Sequence, residues 1–246
     1  MRKLINIKFF LVFLVFSKVC ICFDANEATE MLYLSKFKDK RTPVVVIDTG
    51  INYKDKKIAP FLCVNGHKDY TNEGLFDYNG HGTNVAWQII KSFNSKKYCV
   101  LSVKYYPKYS LHISDNLINE LKGIDYAIEV GAVLINFSGG GESYSRNEDI
   151  VIKKALSSNV KIVVASGNNG ANLDEKCNFF PACLKPHKNL HIVGALSKEG
   201  QRMKFSNYGH QVTEWAIGES VEDQNGNPLS GTSQATAVVS GLLLKD

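Results

Sequence analysis

Val44-Val45-Val46-Ile47-Asp48-Thr49-Gly50 is an unbroken run of β-branched residues that ends in a carboxylate and a glycine turn. A continuous apolar run fits a strand buried on both faces, as in a parallel sheet; a sheet with one wet face would show alternation instead. Runs of the same kind recur at Tyr98–Val103, Val133–Phe137, Lys161–Ala165 and His191–Val193. Helical patterns lie between them. Ser114 is placed to cap a helix with a single apolar stripe of Leu117, Leu121, Ile124 and Ile128, and Thr83–Phe93, Asn147–Leu156 and Thr232–Leu244 read as further helices. Strand and helix alternate throughout, which predicts the α/β class: a three-layer sandwich around a mainly parallel sheet. Ligands of such sheets gather at the carboxyl ends of the strands, and Asp48 stands at one of them.

The whole chain agrees with a globular enzyme-sized domain. It has 246 residues, 44% hydrophobic and 22% charged, which excludes a disordered tail, a collagen-like chain and a polytopic membrane protein. The formal charge of +5 hints at an acidic partner, but Arg2, Lys3, Lys8 and Lys18 carry most of it. Those residues flank an apolar run, Phe9–Phe16, too short for a membrane span. Residues 1–22 therefore read as a secretory signal peptide, with Cys20 and Cys22 at the small-residue positions before cleavage. Removing them leaves residues 23–246 as one domain of charge about +1. This predicts a secreted or periplasmic protein with no nucleic-acid partner and no stable membrane anchor after cleavage.

Export leaves four cysteines, Cys63, Cys99, Cys177 and Cys183, an even number with three possible pairings. Cys177 and Cys183 share one short loop, so the local pair is the simplest. Cys63 and Cys99 sit in strand-like stretches, Phe61–Val64 and Tyr98–Leu101, which must be neighbours for a second bridge. A zinc site of Cys177, Cys183, His187 and His191 is the competing reading, though structural zinc sites usually hold a longer finger between ligand pairs.

Three further segments place reactive groups at strand ends or helix starts. Asn79-Gly80-His81-Gly82-Thr83 sets a histidine between two glycines where an apolar helix opens. Ser230-Gly231-Thr232-Ser233 begins a helix apolar almost all round, so its first turn is either a plain cap or a nucleophile facing the helix amides. Ala165-Ser166-Gly167-Asn168 ends another strand with a side-chain N–H donor. Asp48 itself has two more modest readings. It either organises its turn, or belongs to an Asp-Thr-Gly aspartic protease, which needs a second carboxylate and therefore a symmetric dimer of an all-β fold.

Taken in order, Asp48-Thr49-Gly50, His81-Gly82-Thr83, Ser166-Gly167-Asn168 and Gly231-Thr232-Ser233 resemble the subtilisin family of serine proteases, from about Pro43 to the last residue. The resemblance implies a subtilisin-like sheet with Ser233 as nucleophile, His81 as general base and then acid, and Asp48 orienting the imidazole. Asn168 and the Ser233 amide would form the oxyanion hole. It also implies that Ser138, Gly139 and Gly140 form an edge on which a peptide or protein substrate adds as a strand. Ala165, Ser166 and Gly167 would then form the opposite wall of the pocket for the residue before the scissile bond. Phe179 lies near the floor of that pocket and should favour small side chains. Asn136-Phe137-Ser138 also spells a glycosylation sequon, but a buried strand is a poor acceptor.

The pattern is broken in places. Gln234 and Ala237 replace the family's methionine and proline after the serine, and Asn84 and Trp87 stand where His and Gly are usual. About two dozen residues separate the leader from Asp48, and thirteen follow Ser233. That is little room for the family's folded pro-domain or its later strands. The expectation is a short variant stiffened by disulfides or covered by a partner at its C-terminal side, and a catalytically weak peptide-binding module is the alternative to the enzyme. No cofactor is implied. Nor do the roughly ten residues between the His81 helix and the Tyr98–Val103 strand form the acidic calcium loop that many members of the family carry there. Chelation with EDTA is accordingly expected to leave the melting temperature unchanged; a fall of several degrees would show a bound structural cation.

Overall fold

A computed structural model of the protein describes residues 37–108 and 113–245; the expected leader lies outside them. Seven strands make one sheet: β1 (Thr42–Asp48), β2 (Lys68–Asp69), β3 (Tyr98–Lys104), β4 (Leu134–Phe137), β5 (Lys161–Ala165), β6 (Leu190–Leu196) and β7 (Glu214–Ile217). Their order is β2-β3-β1-β4-β5-β6-β7, and every neighbouring pair is parallel. A short antiparallel hairpin, β8 (Val221–Glu222) with β9 (Pro228–Leu229), stands apart. The helices are α1 (His81–Ile90), α2 (Ile113–Glu129), α3 (Arg146–Ser157) and α4 (Thr232–Leu242). None of the helices in the described residues is long and apolar enough to cross a membrane.

Strand β1 explains the three layers. Successive side chains of a strand point to opposite faces, so Val45 and Ile47 enter one core while Val44 and Val46 enter another. The first core holds Ile124 of α2 and Val151 and Ile152 of α3; the second holds Val85, Ala86 and Ile89 of α1 with Ala235 and Ala237 of α4. Four apolar residues in a row are what two buried faces require. Because β1 lies between β3 and β4, the chain leaves it first toward one edge and later toward the other. That reversal opens a crevice at the carboxyl end of β1, where Asp48 sits.

The element boundaries and two local readings differ from expectation. Helix α2 spans Ile113–Glu129, so Ser114 lies within it. Phe61–Val64 is not a strand: Pro60 favours a single 3-10 turn over Ala59–Phe61, and only an isolated bridge, Leu62 to Val100, follows. That contact is enough to bring Cys63 and Cys99 together, and the two are bridged with Cα atoms 4.9 Å apart. Cys177 and Cys183 form the second bridge, which uses the thiolates that the zinc reading needed. Strand β7 lacks the apolar-run signal because it is an edge: Ala216 is buried while Trp215 and Ile217 are exposed.

Candidate active site

Asp48 is the last residue of β1, and its carboxylate is buried. Its Oδ1 accepts the Thr49 amide at 2.7 Å and Nδ1–H of His81, also at 2.7 Å. The turn that follows must pass very close to its surroundings. Gly50 has φ of +115°, and a Cβ there would lie 2.5 Å from the Leu75 carbonyl oxygen. Gly82 lies so close to β1 that a Cβ would strike the Gly50 carbonyl oxygen and come within 3.0 Å of Asp48 Cβ. Glycine at these two places lets helix α1 press its first turn onto the end of β1.

His81 is the first residue of α1, and its side chain is about one-third exposed (34%). The negative charge of Asp48 is the main cause that raises its pKa above the ordinary 6.5; burial opposes this, while the hydrogen bond to Asp48 and the charge of Asp77 add to it. The exposed edge of the ring faces a cavity of 230 Å³ that it shares with Asp48, Ser138 and Gly139.

Asp77 escaped the sequence reading. Its buried carboxylate collects five donors. Oδ1 takes the Thr49 hydroxyl and the Asn79 and Gly80 amides, and Oδ2 takes the Thr83 amide and hydroxyl. The Thr49 hydroxyl in turn accepts the Gly82 amide at 2.9 Å. One carboxylate thus ties the turn after β1 to the open amides at the start of α1, where a negative charge also suits the helix dipole. Asp77-Tyr78-Asn79-Gly80 is turn chemistry, a local pattern that marks a turn but not its buried ties to Thr49 and Thr83.

Ser233 is the second residue of α4. Its hydroxyl donates to the Ser138 carbonyl at 3.1 Å rather than to the imidazole, and the Ser138 hydroxyl donates to the Ser233 carbonyl at 3.3 Å. The Thr232 amide (2.9 Å) and hydroxyl (3.0 Å) both donate to Asn168 Oδ1. Since an amide N–H needs an acceptor, the oxygen of the Asn168 carboxamide is assigned and its NH₂ is left to point elsewhere. Buried Asn207 holds the loop that carries Asn168: its Oδ1 accepts the Asn169 and Ala171 amides, and its Nδ2 donates to the Ser166 carbonyl. Asn207 also escaped the sequence reading; no motif singles it out within Ser206-Asn207-Tyr208-Gly209.

The two segments expected to wall a pocket both reach Phe179. A Cβ on Gly140 would lie 2.5 Å from Phe179 Cζ, and one on Gly167 3.0 Å from its Cδ1. The Phe179 ring therefore lies between the Ser138–Gly140 and Ala165–Gly167 segments. No other described backbone group bonds to Gly139 or Gly140, whereas Gly141 is already paired in both directions with Phe180. The two replacements at Asn84 and Gln234 explain one another: Gln234 Nε2 donates to Asn84 Oδ1 at 3.0 Å, a buried link between α1 and α4. Asn136 of the sequon is fully buried and bonded to Ser138 and Ser240.

A sequence model described as the subtilase family matches residues 39–245. The chain belongs to that family. This subtilase is 35% identical over 212 residues to Subtilisin-like protease 2 of Trichophyton tonsurans, covering 80% of the chain and 48% of that protein. It is 30% identical over 219 residues to Subtilisin DY of Bacillus licheniformis, covering 83% and 76%. Among solved structures it is similar to a cold adapted subtilisin-like serine proteinase, with a TM-score of 0.64, 25% identity, and 84% and 76% of the two chains covered. It spans about half the length of the Trichophyton relative.

Asp77→Asn in the subtilase replaces one acceptor oxygen by an NH₂ that must face other donors. We expect it to cost about 2 kcal/mol in urea unfolding, and to lower the His81 pKa measured by NMR because a nearby negative charge is lost.

Proposed function

We propose that this subtilase is a secreted serine endopeptidase and that residues 23–246 form its peptidase domain. The observation that carries the reading is the 2.7 Å Asp48–His81 pair standing beside a helix N-terminus that presents Ser233. With Nδ1–H held by Asp48, the other ring nitrogen of His81 is left as the base. It takes the Ser233 hydroxyl proton as Oγ attacks the scissile carbonyl, and Asp48 stabilises the imidazolium that forms. The new oxyanion accepts from Asn168 Nδ2 and from the Ser233 amide, one of the α4 amides without an intrahelical acceptor. Collapse of the intermediate expels the amine, which takes the proton from His81. Water then attacks the acyl-enzyme by the same route in reverse.

The hydroxyl must leave the Ser138 carbonyl to reach the imidazole. A substrate that adds as a strand to Ser138–Gly140 would compete for that carbonyl, and catalytic hydrogen bonds commonly tighten only once substrate is bound. Secretion is supported by the leader in the sequence and by two disulfides, which persist in oxidising compartments. The Phe179 ring between the pocket walls supports a preference for small side chains before the scissile bond.

A fluorophosphonate probe tests the reading directly: mass spectrometry is expected to find the label on Ser233, and Ser233→Ala to abolish turnover. Peptide binding without labelling would make the protein a binding module instead. Asn168→Ala should lower kcat roughly 100- to 1,000-fold. Because neutral His81 is required and its pKa is raised, activity should fall as pH drops through a midpoint above 6.5. Peptides with Ala before the bond should be cut faster than those with Phe, and Phe179→Ala should reverse that order.

A further inference from the structure

The Ser138–Gly140 edge passes two cavities. The first, of 230 Å³, lies at His81; the second, of 550 Å³, begins at Gly140 and Gly141 and is lined by side chains of α2 and α3. Tyr105 and Tyr106 line both, so the two adjoin. Alternate side chains of an extended peptide share a face, about 6.6 Å apart. On the peptidase reading, a substrate paired with Ser138–Gly140 has its scissile carbonyl at Ser233. It then turns the second residue before the bond toward the first cavity and the fourth toward the second.

The second cavity combines apolar walls with unmet acceptors. Leu117, Phe137 and Phe180 line it, together with Glu120 of α2 and Glu148 of α3. Both glutamates are more than nine-tenths buried. The Glu148 amide is capped by Ser145 Oγ at 3.3 Å, but its carboxyl is bonded to that of Glu120. Burial raises both carboxyls above the usual range, Glu120 the more strongly. Glu120 Oε1 and the buried Asn116 Oδ1 have no donor among the described residues. No lysine or arginine is among the described residues that line the cavity. A buried acceptor without a donor is costly, and these acceptors sit where a substrate side chain would enter.

We propose that this cavity is a specificity pocket for a basic side chain, lysine or arginine, at the fourth residue before the scissile bond, with Glu120, Glu148 and Asn116 as its acceptors. The aliphatic stem packs on Leu117 and Phe137 while the cationic head reaches the acceptors. Such a head brings several N–H donors, and its positive charge favours the ionised carboxylates that burial disfavours.

The test uses fluorogenic peptides with Ala fixed before the scissile bond and Lys, Arg, Leu or Glu four residues before it. Lys or Arg is expected to raise kcat/KM at least 10-fold over Leu, with Glu lowest. In the Glu120→Gln/Glu148→Gln double variant the Lys-to-Leu ratio of kcat/KM should shrink to about 3-fold or less; an unchanged ratio would overturn the pocket. Binding of the same peptides to Ser233→Ala protein reads the pocket without catalysis. Tighter binding of the Lys peptide with no turnover by the wild type would overturn the peptidase reading and leave the pocket standing. Equal affinity for Lys and Leu peptides would overturn the pocket.

Discussion

The hydrogen bond between Asp48 and His81 depends on an exact fit between a strand end and a helix start, and much of the surrounding structure serves that fit. A carboxylate buried at the end of a central parallel strand is costly unless it is bonded. Here Oδ1 takes both the next amide and the imidazole. The histidine reaches it because α1 starts within van der Waals range of β1, which glycine at positions 50 and 82 permits. Asp77 then supplies the acceptors that the start of α1 lacks, so a second buried carboxylate holds the geometry of the first.

The serine side is built from separate elements and is joined to the histidine side through packing. Helices α1 and α4 lie on the same face of the sheet and share one core. Their buried polar contact is Gln234 to Asn84, the two positions at which the sequence departs from the family's usual residues. A buried amide pair satisfies itself only if both members change together, which gives a physical reason for finding the two departures in one chain. Asn84 Nδ2 has no acceptor among the described residues, so the pair shares the single hydrogen bond from Gln234 Nε2 to Asn84 Oδ1.

On the proposed reading, the substrate side combines backbone pairing with side-chain pockets. The backbone of Gly139 and Gly140 is open to any extended chain, and backbone pairing carries no side-chain information. On that reading, selectivity rests on what lines the flanking spaces: an aromatic ring between Gly140 and Gly167, and a glutamate pair between α2 and α3. Nothing in the local sequence singles out Glu120 or Glu148. Their burial follows from how two helices distant in the chain pack together.

The amino-acid sequence by itself determined the layered α/β architecture, because residues buried on both faces of a strand must form unbroken apolar runs, and residues 44–47 do. It also marked Asp48, His81, Asn168 and Ser233, since each stands in a short motif of glycines and polar residues at a strand end or helix start. The edge strand β7, the 3-10 turn at Ala59–Phe61, and the roles of Asp77 and Asn207 left no such local mark. Only the tertiary structure decided that Cys63 meets Cys99, that Phe179 lies between Gly140 and Gly167, and that Glu120 faces Glu148. Local pattern records what a residue needs from its immediate neighbours; these contacts join residues from separate elements, and only packing brings them within reach.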